Sequence, residues 1–338
     1  MSLDARITLP GTGLSVSRLC LGGNRLGAQL DHAASFSLLD AFEASGGNFI
    51  DTAHVYANWL PDVERSCSEK TIGRWLAASG ATGFVVATKI GHPPLEDPTT
   101  RRLDAVSLRS DVGEALAHLG LPRLDLVYLH RDDPARPADE ILGVLEELRS
   151  EGLIHHYGAS NWSPSRLEQA QAAARRHGWA GFSANQPEWS LAGRNPGSAA
   201  GDLIAMDEAM LDWHARNRIA AIPYSAQAKG YFDKVGAGAL DEATARAYDN
   251  PANRERAAIL NEIAVRAHAT PTQVALNVLI QNPVTTVPVI GPRTVEQLES
   301  SFASLSLSLG SEDLARFRSP AEASERIGSQ GPRVFRPA

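Results

Sequence analysis

Phe84-Val85-Val86-Ala87-Thr88-Lys89, an amphipathic stretch over residues 103–119, and then Asp125-Leu126-Val127-Tyr128-Leu129-His130 make up the segment that decides the fold. A short apolar, β-branched run that ends in a polar residue is the pattern of a strand buried on both faces, and helical spacing between two such runs supplies the crossover that a parallel pair requires. The unit recurs along the chain. Apolar runs fall at 19–22, 48–51, 84–89, 125–130, 154–160, 181–185, 219–224 and 286–290. Helical spacing predicts helices over 33–45, 68–79, 103–119, 138–150, 163–177, 202–217 and 253–281, the last broken at Pro271 because proline cannot continue a helix. Eight such units close into a barrel more readily than they spread into an open sheet. The expectation is an α/β chain forming a single (β/α)8 TIM barrel domain over residues 1–338.

The remaining segments attach to that barrel. Residues 1–17 alternate around Pro10-Gly11 and Gly13 and predict an N-terminal β-hairpin across the barrel floor. Residues 230–250 show no clean period and are expected to form a long functional or mobile loop. Residues 294–338 predict extra C-terminal helices, at 294–303 and 312–318, followed by a tail.

Composition narrows the function. Lys+Arg number 32 against 39 for Asp+Glu, a net charge of −7, with the arginines scattered, so no basic field exists to gather a nucleic acid. No apolar run approaches the roughly 20 residues of a membrane helix, and the first residues lack the apolar core of a signal peptide, so a cytoplasmic protein is expected. Cys20 and Cys67 are far apart and outside any CxxC, which suggests buried thiols and neither a disulfide nor a zinc site. His54 has no carboxylate or second histidine at metal-binding spacing, and His155-His156 straddle the two faces of one strand. No metal is expected.

Active sites of such barrels form where the strands end, and here three consecutive strand ends carry Asp51 with Tyr56 five residues on, Lys89, and His130. Four titratable groups on one rim are too costly to be incidental. An ammonium at Lys89 favours the phenolate of Tyr56 and is expected to lower its pKa, Asp51 holds Lys89 protonated, and His130 presents a ring nitrogen to a carbonyl oxygen approaching Tyr56. A proton donor beside an oxygen-binding point, without nucleophile or metal, suits carbonyl reduction by a hydride from a nicotinamide cofactor. Strand eight runs into Gly291 and a helix starting near Thr294, which joins free backbone amides to Arg293 as a phosphate cradle and favours NADPH. Gly11-x-Gly13 is no dinucleotide fingerprint, because it lacks the third glycine and precedes a hairpin.

Gly47-Asn48-Phe49-Ile50-Asp51-Thr52-Ala53-His54-Val55-Tyr56 resembles the GxxxxDTAxxY signature of the aldo-keto reductases, and Lys89 and His130 lie where that family keeps its lysine and histidine. The resemblance extends through Gly158-Ala159-Ser160-Asn161-Trp162, Gln186, Ile222 to Gly230, and Val289 to Gln297. It implies NADPH-dependent, reversible reduction of an aldehyde or ketone, sugar-like substrates included, with Tyr56 as proton donor. It implies that Ser160, Asn161 and Gln186 hold the nicotinamide carboxamide, that Tyr224 stacks on the ring, and that Ser225, Ala226, Gln227, Ala228 and Lys229 begin a pyrophosphate clasp. It further implies cofactor contacts from Gly23, Asn24, Asp51, Ile290, Gly291, Gln297 and Ser301, with Arg293 on the 2′-phosphate and a monomer by default. Three departures stand out: Ser301 occupies the place of an adenine-contacting asparagine, Gly22-Gly23-Asn24-Arg25-Leu26-Gly27 lacks an aromatic residue, and Pro292 replaces the usual small residue beside Gly291.

Tyr56, Trp59, His130 and Trp189 are the expected substrate pocket, and Arg131, Asp132 and Asp133 are placed to hydrogen-bond a polyhydroxy substrate. The partner is then a small-molecule carbonyl compound. Two alternatives stay open at this level: an NADPH-binding regulatory protein resembling the potassium-channel β subunits, and a Schiff-base lyase using Lys89.

Overall fold

The computed structural model describes residues 5–198 and 201–317. The hairpin pairs β1 (Arg6–Thr8) with β2 (Ser15–Ser17) antiparallel, Ile7 opposite Val16. The eight barrel strands are β3 (Cys20–Gly22), β4 (Phe49–Asp51), β5 (Val85–Ile90), β6 (Leu124–Leu129), β7 (Ile154–Ser160), β8 (Ala184–Gln186), β9 (Ala220–Ala221) and β10 (Val289–Ile290). All neighbours are parallel, in the order β10-β3-β4-β5-β6-β7-β8-β9. The ends of the sheet meet: Ala221 N–H donates to Thr285, Val287 N–H to Ala221 and Val289 N–H to Pro223. The (β/α)8 barrel expected from the alternation is therefore present.

Helices α1 (His32–Ala44), α2 (Cys67–Ser79), α3 (Ala105–Leu119), α4 (Ala138–Ser150), α5 (Pro164–His177) and α6 (Glu208–Asn217) each follow a strand. Side-chain caps set where most of them begin. Asp31, Asp104, Ser163 and Asp207 each accept from a backbone N–H in the first turn of the following helix, meeting one of the donors left orphaned there. α6 starts later than its spacing suggests, because Asp207 caps it and the preceding Ala205 forms a β-bridge with Glu188.

The stretch expected to be a loop over 230–250 is a correction: it folds into α7 (Tyr231–Gly236) and α8 (Glu242–Tyr248). Tyr231, Phe232 and Tyr248 bury there against Leu260 and Ile263, and that burial stabilises helices too short to persist alone. Beyond them run α9 (Pro251–Ala267) and α10 (Pro271–Ile280). Pro271 marks a start as well as a break: it is the first residue of α10, behind a capping box of Thr270 and Gln273. α11 (Val295–Ala303), capped by Thr294, and a short α12 (Ser311–Ala315) complete the expected C-terminal helices. The expected tail from Ser319 lies outside the described residues.

Inward-facing positions are layered. Leu9, Leu14 and Val16 of the hairpin pack with Phe49, Val85, Ala87, Leu126, Tyr128 and Ala184 into a dry plug across the floor. A separate apolar layer, including Leu21, Ile50, Val86 and Val127, joins the outer faces of the strands to the helices. Along each strand the pleat alternates faces, so Phe49 leads to Asp51, Ala87 to Lys89, Tyr128 to His130 and Ala184 to Gln186 on the inner side. The plug ends where the polar site begins. No helix among the described residues is long and apolar enough to cross a membrane.

Candidate active site

A cavity of about 1130 Å³ opens at the C-terminal ends of the strands, lined by Asp51, Tyr56, Lys89 and His130 together with Ser160, Asn161 and Gln186. Lys89 Nζ lies 2.7 and 2.6 Å from the two Asp51 carboxylate oxygens, 2.9 Å from the Thr52 carbonyl and 2.9 Å from Tyr56 Oη. Both Lys89 and Asp51 are only 2% exposed. Burial alone would lower the Lys89 pKa, but Asp51 and the Tyr56 oxygen reverse that and raise it, so this ammonium stays charged. Gln186 Nε2 donates to Asp51 Oδ1 at 2.8 Å and fixes the carboxylate from the far side.

Tyr56 behaves differently from the sequence-based expectation. Burial pushes its phenol up to about 12, and the opposing pull of Lys89 does not overcome it. Spacing showed the cation but not the dryness of the site, which penalises the phenolate more than one ammonium favours it. His130 is held well below the usual histidine range, first by burial and then by the charges of Lys89 and Arg131, so its ring is neutral. Its Nδ1 is buried without a protein partner, and its ring meets Tyr56 edge-on at 6.0 Å between centroids.

Beyond this group, Ser160 Oγ donates to the Gln186 carbonyl, Asn161 Nδ2 to the His130 carbonyl, and Tyr224 Oη to Asn161 Oδ1 at 2.9 Å. Asn161 adopts φ +60°, a left-handed geometry that asparagine tolerates better than most residues. Ser225, Ala228 and Lys229 also have positive φ, marking 225–229 as a strained segment of the kind found at ligand clamps. Gln227 spans the cavity rim, donating to Ser301 Oγ at 3.1 Å and accepting from Gly291 N–H at 3.3 Å. Gln297 accepts from the Arg293 N–H at 2.8 Å, so the residues at the start of α11 are tied together.

Asn24, Ser225 through Lys229, Ile290, Gly291, Arg293, Gln297 and Ser301 all line the same cavity. Gly23 lies just beneath it, donating to the Asp51 carbonyl at 2.7 Å, and a Cβ there would approach that carbonyl to 3.0 Å. Trp59 is half exposed and meets Tyr56 edge-on at 6.5 Å. Trp189 packs instead against the apolar layer under the helices and is not among the residues lining the cavity. Arg131 reaches the rim, where it pairs with Asp202, while Asp132 is engaged by Arg166 at 2.9 Å.

Three features escaped the sequence. His92 stacks edge-on against His130 at 4.8 Å, signalled only by a lone histidine after a strand. Arg25 lines the cavity and its pKa is lowered by burial and by the nearby charge of Arg293. Among the described residues neither arginine has a carboxylate partner within ion-pair distance, Arg25 donating only to the Gln29 amide oxygen, so two guanidinium charges without a counter-charge face a space that calls for an anion. The third corrects the expectation for His54: folding places Glu69 and His118 beside it.

The sequence profile of the Aldo/keto reductase family matches residues 18–322. The chain belongs to the aldo-keto reductase family. It is 28% identical over 323 residues to norsolorinic acid reductase stcV of Emericella nidulans, covering 91% of this chain and 79% of that one. It is 30% identical over 318 residues to the uncharacterized oxidoreductase YrpG of Bacillus subtilis, covering 90% and 91%. To aryl-alcohol dehydrogenase [NADP(+)] of Phanerodontia chrysosporium it is 27% identical over 337 residues, covering 90% and 82%. The reductase resemblance seen in the DTAxxY stretch thus extends over the whole barrel, and the chain is an oxidoreductase whose family uses a nicotinamide cofactor.

Proposed function

We propose that this aldo-keto reductase reduces an aryl aldehyde or ketone to the alcohol with NADPH. The observation that carries the reading is the 2.9 Å contact between Lys89 Nζ and Tyr56 Oη at the inner end of a cavity whose outer end holds Arg293. When bound, the nicotinamide supplies the hydride. Ser160, Asn161 and Gln186 would hold its carboxamide, Tyr224 its ring face, the 225–229 segment its pyrophosphate, and Arg293 with Arg25 its 2′-phosphate.

The protein's own part is to place the carbonyl and deliver a proton. His130 Nδ1 is unengaged within the protein, and the neutral ring offers a hydrogen bond to a carbonyl oxygen without competing as an acid. Tyr56 stays protonated across the physiological range, and it loses its proton only when the oxygen beside it turns into an alkoxide, a stronger base than any phenolate. Lys89 then neutralises the phenolate through its existing contact, and Asp51 and Gln186 keep that ammonium aimed. Tyr56 and His130 line the inner cavity, and Trp59 and His92 pack edge-on behind them, so the wall offers ring edges and faces that favour a flat substrate. The names of the aryl-alcohol dehydrogenase and norsolorinic acid reductase relatives point the same way.

A lyase using Lys89 as nucleophile is disfavoured, because its nitrogen is saturated by Asp51 and Thr52 and held as an ammonium with no lone pair. The test is the absorbance loss of NADPH over a panel of benzaldehydes, aliphatic aldehydes and keto-sugars. Turnover with benzaldehydes, lost at least about 100-fold in Tyr56→Phe while NADPH still binds, is expected from removing a general acid. An unimpaired Tyr56→Phe protein would refute the assignment, and tight NADPH binding without any turnover would favour a regulatory role.

A further inference from the structure

We propose that His54, Glu69 and His118 form a binding site for one divalent transition cation, Zn²⁺ or a close neighbour, on the outer side of the barrel wall behind Tyr56. The three come from different elements: the loop after β4, the first turn of α2 and the end of α3. Glu69 Oε2 lies 2.9 Å from His118 Nδ1 and 3.8 Å from His54 Nδ1, and the three ligand atoms are all within 4.8 Å of one another. Around an ion bound at about 2.0 Å, tetrahedral ligand atoms sit about 3.3 Å apart, so the set needs side-chain adjustments of under an ångström or so.

The surroundings carry the argument further. Glu69 is completely buried, and among the described residues no lysine or arginine lies within ion-pair distance of it. Its second oxygen accepts from Thr88 Oγ1, which fixes the carboxylate plane. His54 Nδ1 is buried and has no hydrogen-bond partner, while the same ring's Nε2 faces the Glu114 carboxylate at 3.6 Å. That is the arrangement of a ligating imidazole: one nitrogen free toward the ion, the other oriented by an outer carboxylate. His54 and His118 are 17% and 18% exposed, which leaves a path for the ion and room for a water as fourth ligand. Two imidazoles and one carboxylate select borderline cations over Mg²⁺ or Ca²⁺. Binding would replace the contact between Glu69 and His118 by bonds to the ion and tie the loop after β4, whose His54 N–H donates to the Lys89 carbonyl, to α2 and α3.

The experiment uses the full chain, stripped with a chelator and desalted, then titrated with Zn²⁺ alone by calorimetry and by thermal melting. One equivalent is expected to bind and raise the melting temperature, with binding weakened about 10- to 100-fold in His54→Asn and in His118→Asn and unchanged in His156→Asn. The last variant separates this site from the His155 and His156 rings at the start of β7, whose centroids are 4.2 Å apart. For wild-type crystals soaked in Zn²⁺, an anomalous peak between the three side chains is the expected result and needs no variant. No saturable equivalent, an equivalent that survives both His54→Asn and His118→Asn, or one lost only in His156→Asn would overturn the proposal.

Discussion

Replacing Lys89 by methionine removes a buried ammonium while keeping nearly the same volume, so packing contributes little to the outcome. What remains is Asp51, 2% exposed, with the Gln186 amide at 2.8 Å and the Tyr56 hydroxyl at 3.5 Å as its hydrogen-bond donors and no cation. Breaking a buried ion pair by removing one partner costs about 3–5 kcal/mol, because the surviving charge is uncompensated. A factor of ten in the folding equilibrium corresponds to about 1.4 kcal/mol, so Lys89→Met should shift it by at least a hundredfold. The Asp51→Asn/Lys89→Met double variant removes both charges and should recover most of the loss. Reversible urea unfolding at pH 7, followed by far-UV circular dichroism, measures both. Every one of these variants is inactive by the proposed chemistry, so stability and turnover report independently. If Lys89→Met loses under 1 kcal/mol, or the double variant is no more stable than the single, the buried pair is not the closed unit described above.

Two further outcomes follow from the geometry. Arg293→Ala should raise KM for NADPH about 10- to 100-fold, the worth of one hydrogen bond to a charged group, and leave KM for NADH within about twofold; parallel changes for both cofactors would remove the arginine from the 2′-phosphate. His214 is fully buried, donating from Nδ1 to Ile219 and accepting at Nε2 from Asn185, and burial holds its pKa down to about 4. Below pH 6.5 the unfolded chain takes up a proton that the folded chain refuses, so stability falls with pH and this residue contributes about 2 kcal/mol of the loss between pH 7 and pH 5. His214→Gln should flatten the decline by that amount in urea titrations at the two pH values, and an unchanged slope would contradict the burial argument.

What the sequence made legible was whatever a strand end displays. Asp51, Lys89 and His130 each end an apolar run at the point where the barrel meets solvent, so their convergence follows once the eight units are counted, whereas Ser160 and Gln186 were legible only through the family resemblance. The helices between strands were nearly as plain from their spacing, and in the structure Asp104, Ser163 and Thr270 cap them where that spacing begins or breaks. Two classes of fact were hidden. α7 and α8, six and seven residues long, are too short to display a period, and only the pocket for Tyr231 and Tyr248 reveals them. Properties set by enclosure were hidden as well: the direction of the Tyr56 shift depends on how dry the site is, and the company of His54 depends on α3 lying beside α2.

The layering of the inner wall has a consequence for how such a protein can change. Each strand acts as a ruler with a two-residue graduation, about 6.6 Å, between a floor side chain and a working one. Phe49 anchors the height of Asp51, Ala87 that of Lys89 and Tyr128 that of His130, through parallel pairing that admits no slip without turning the plug outward. Segments beyond those marks and clear of Tyr56, such as 57–66 or 187–198, can therefore be exchanged or lengthened without altering the elevation of the proton donor's partners. New substrates become reachable by grafting at one end of the barrel, while the calibration of the chemistry is kept at the other.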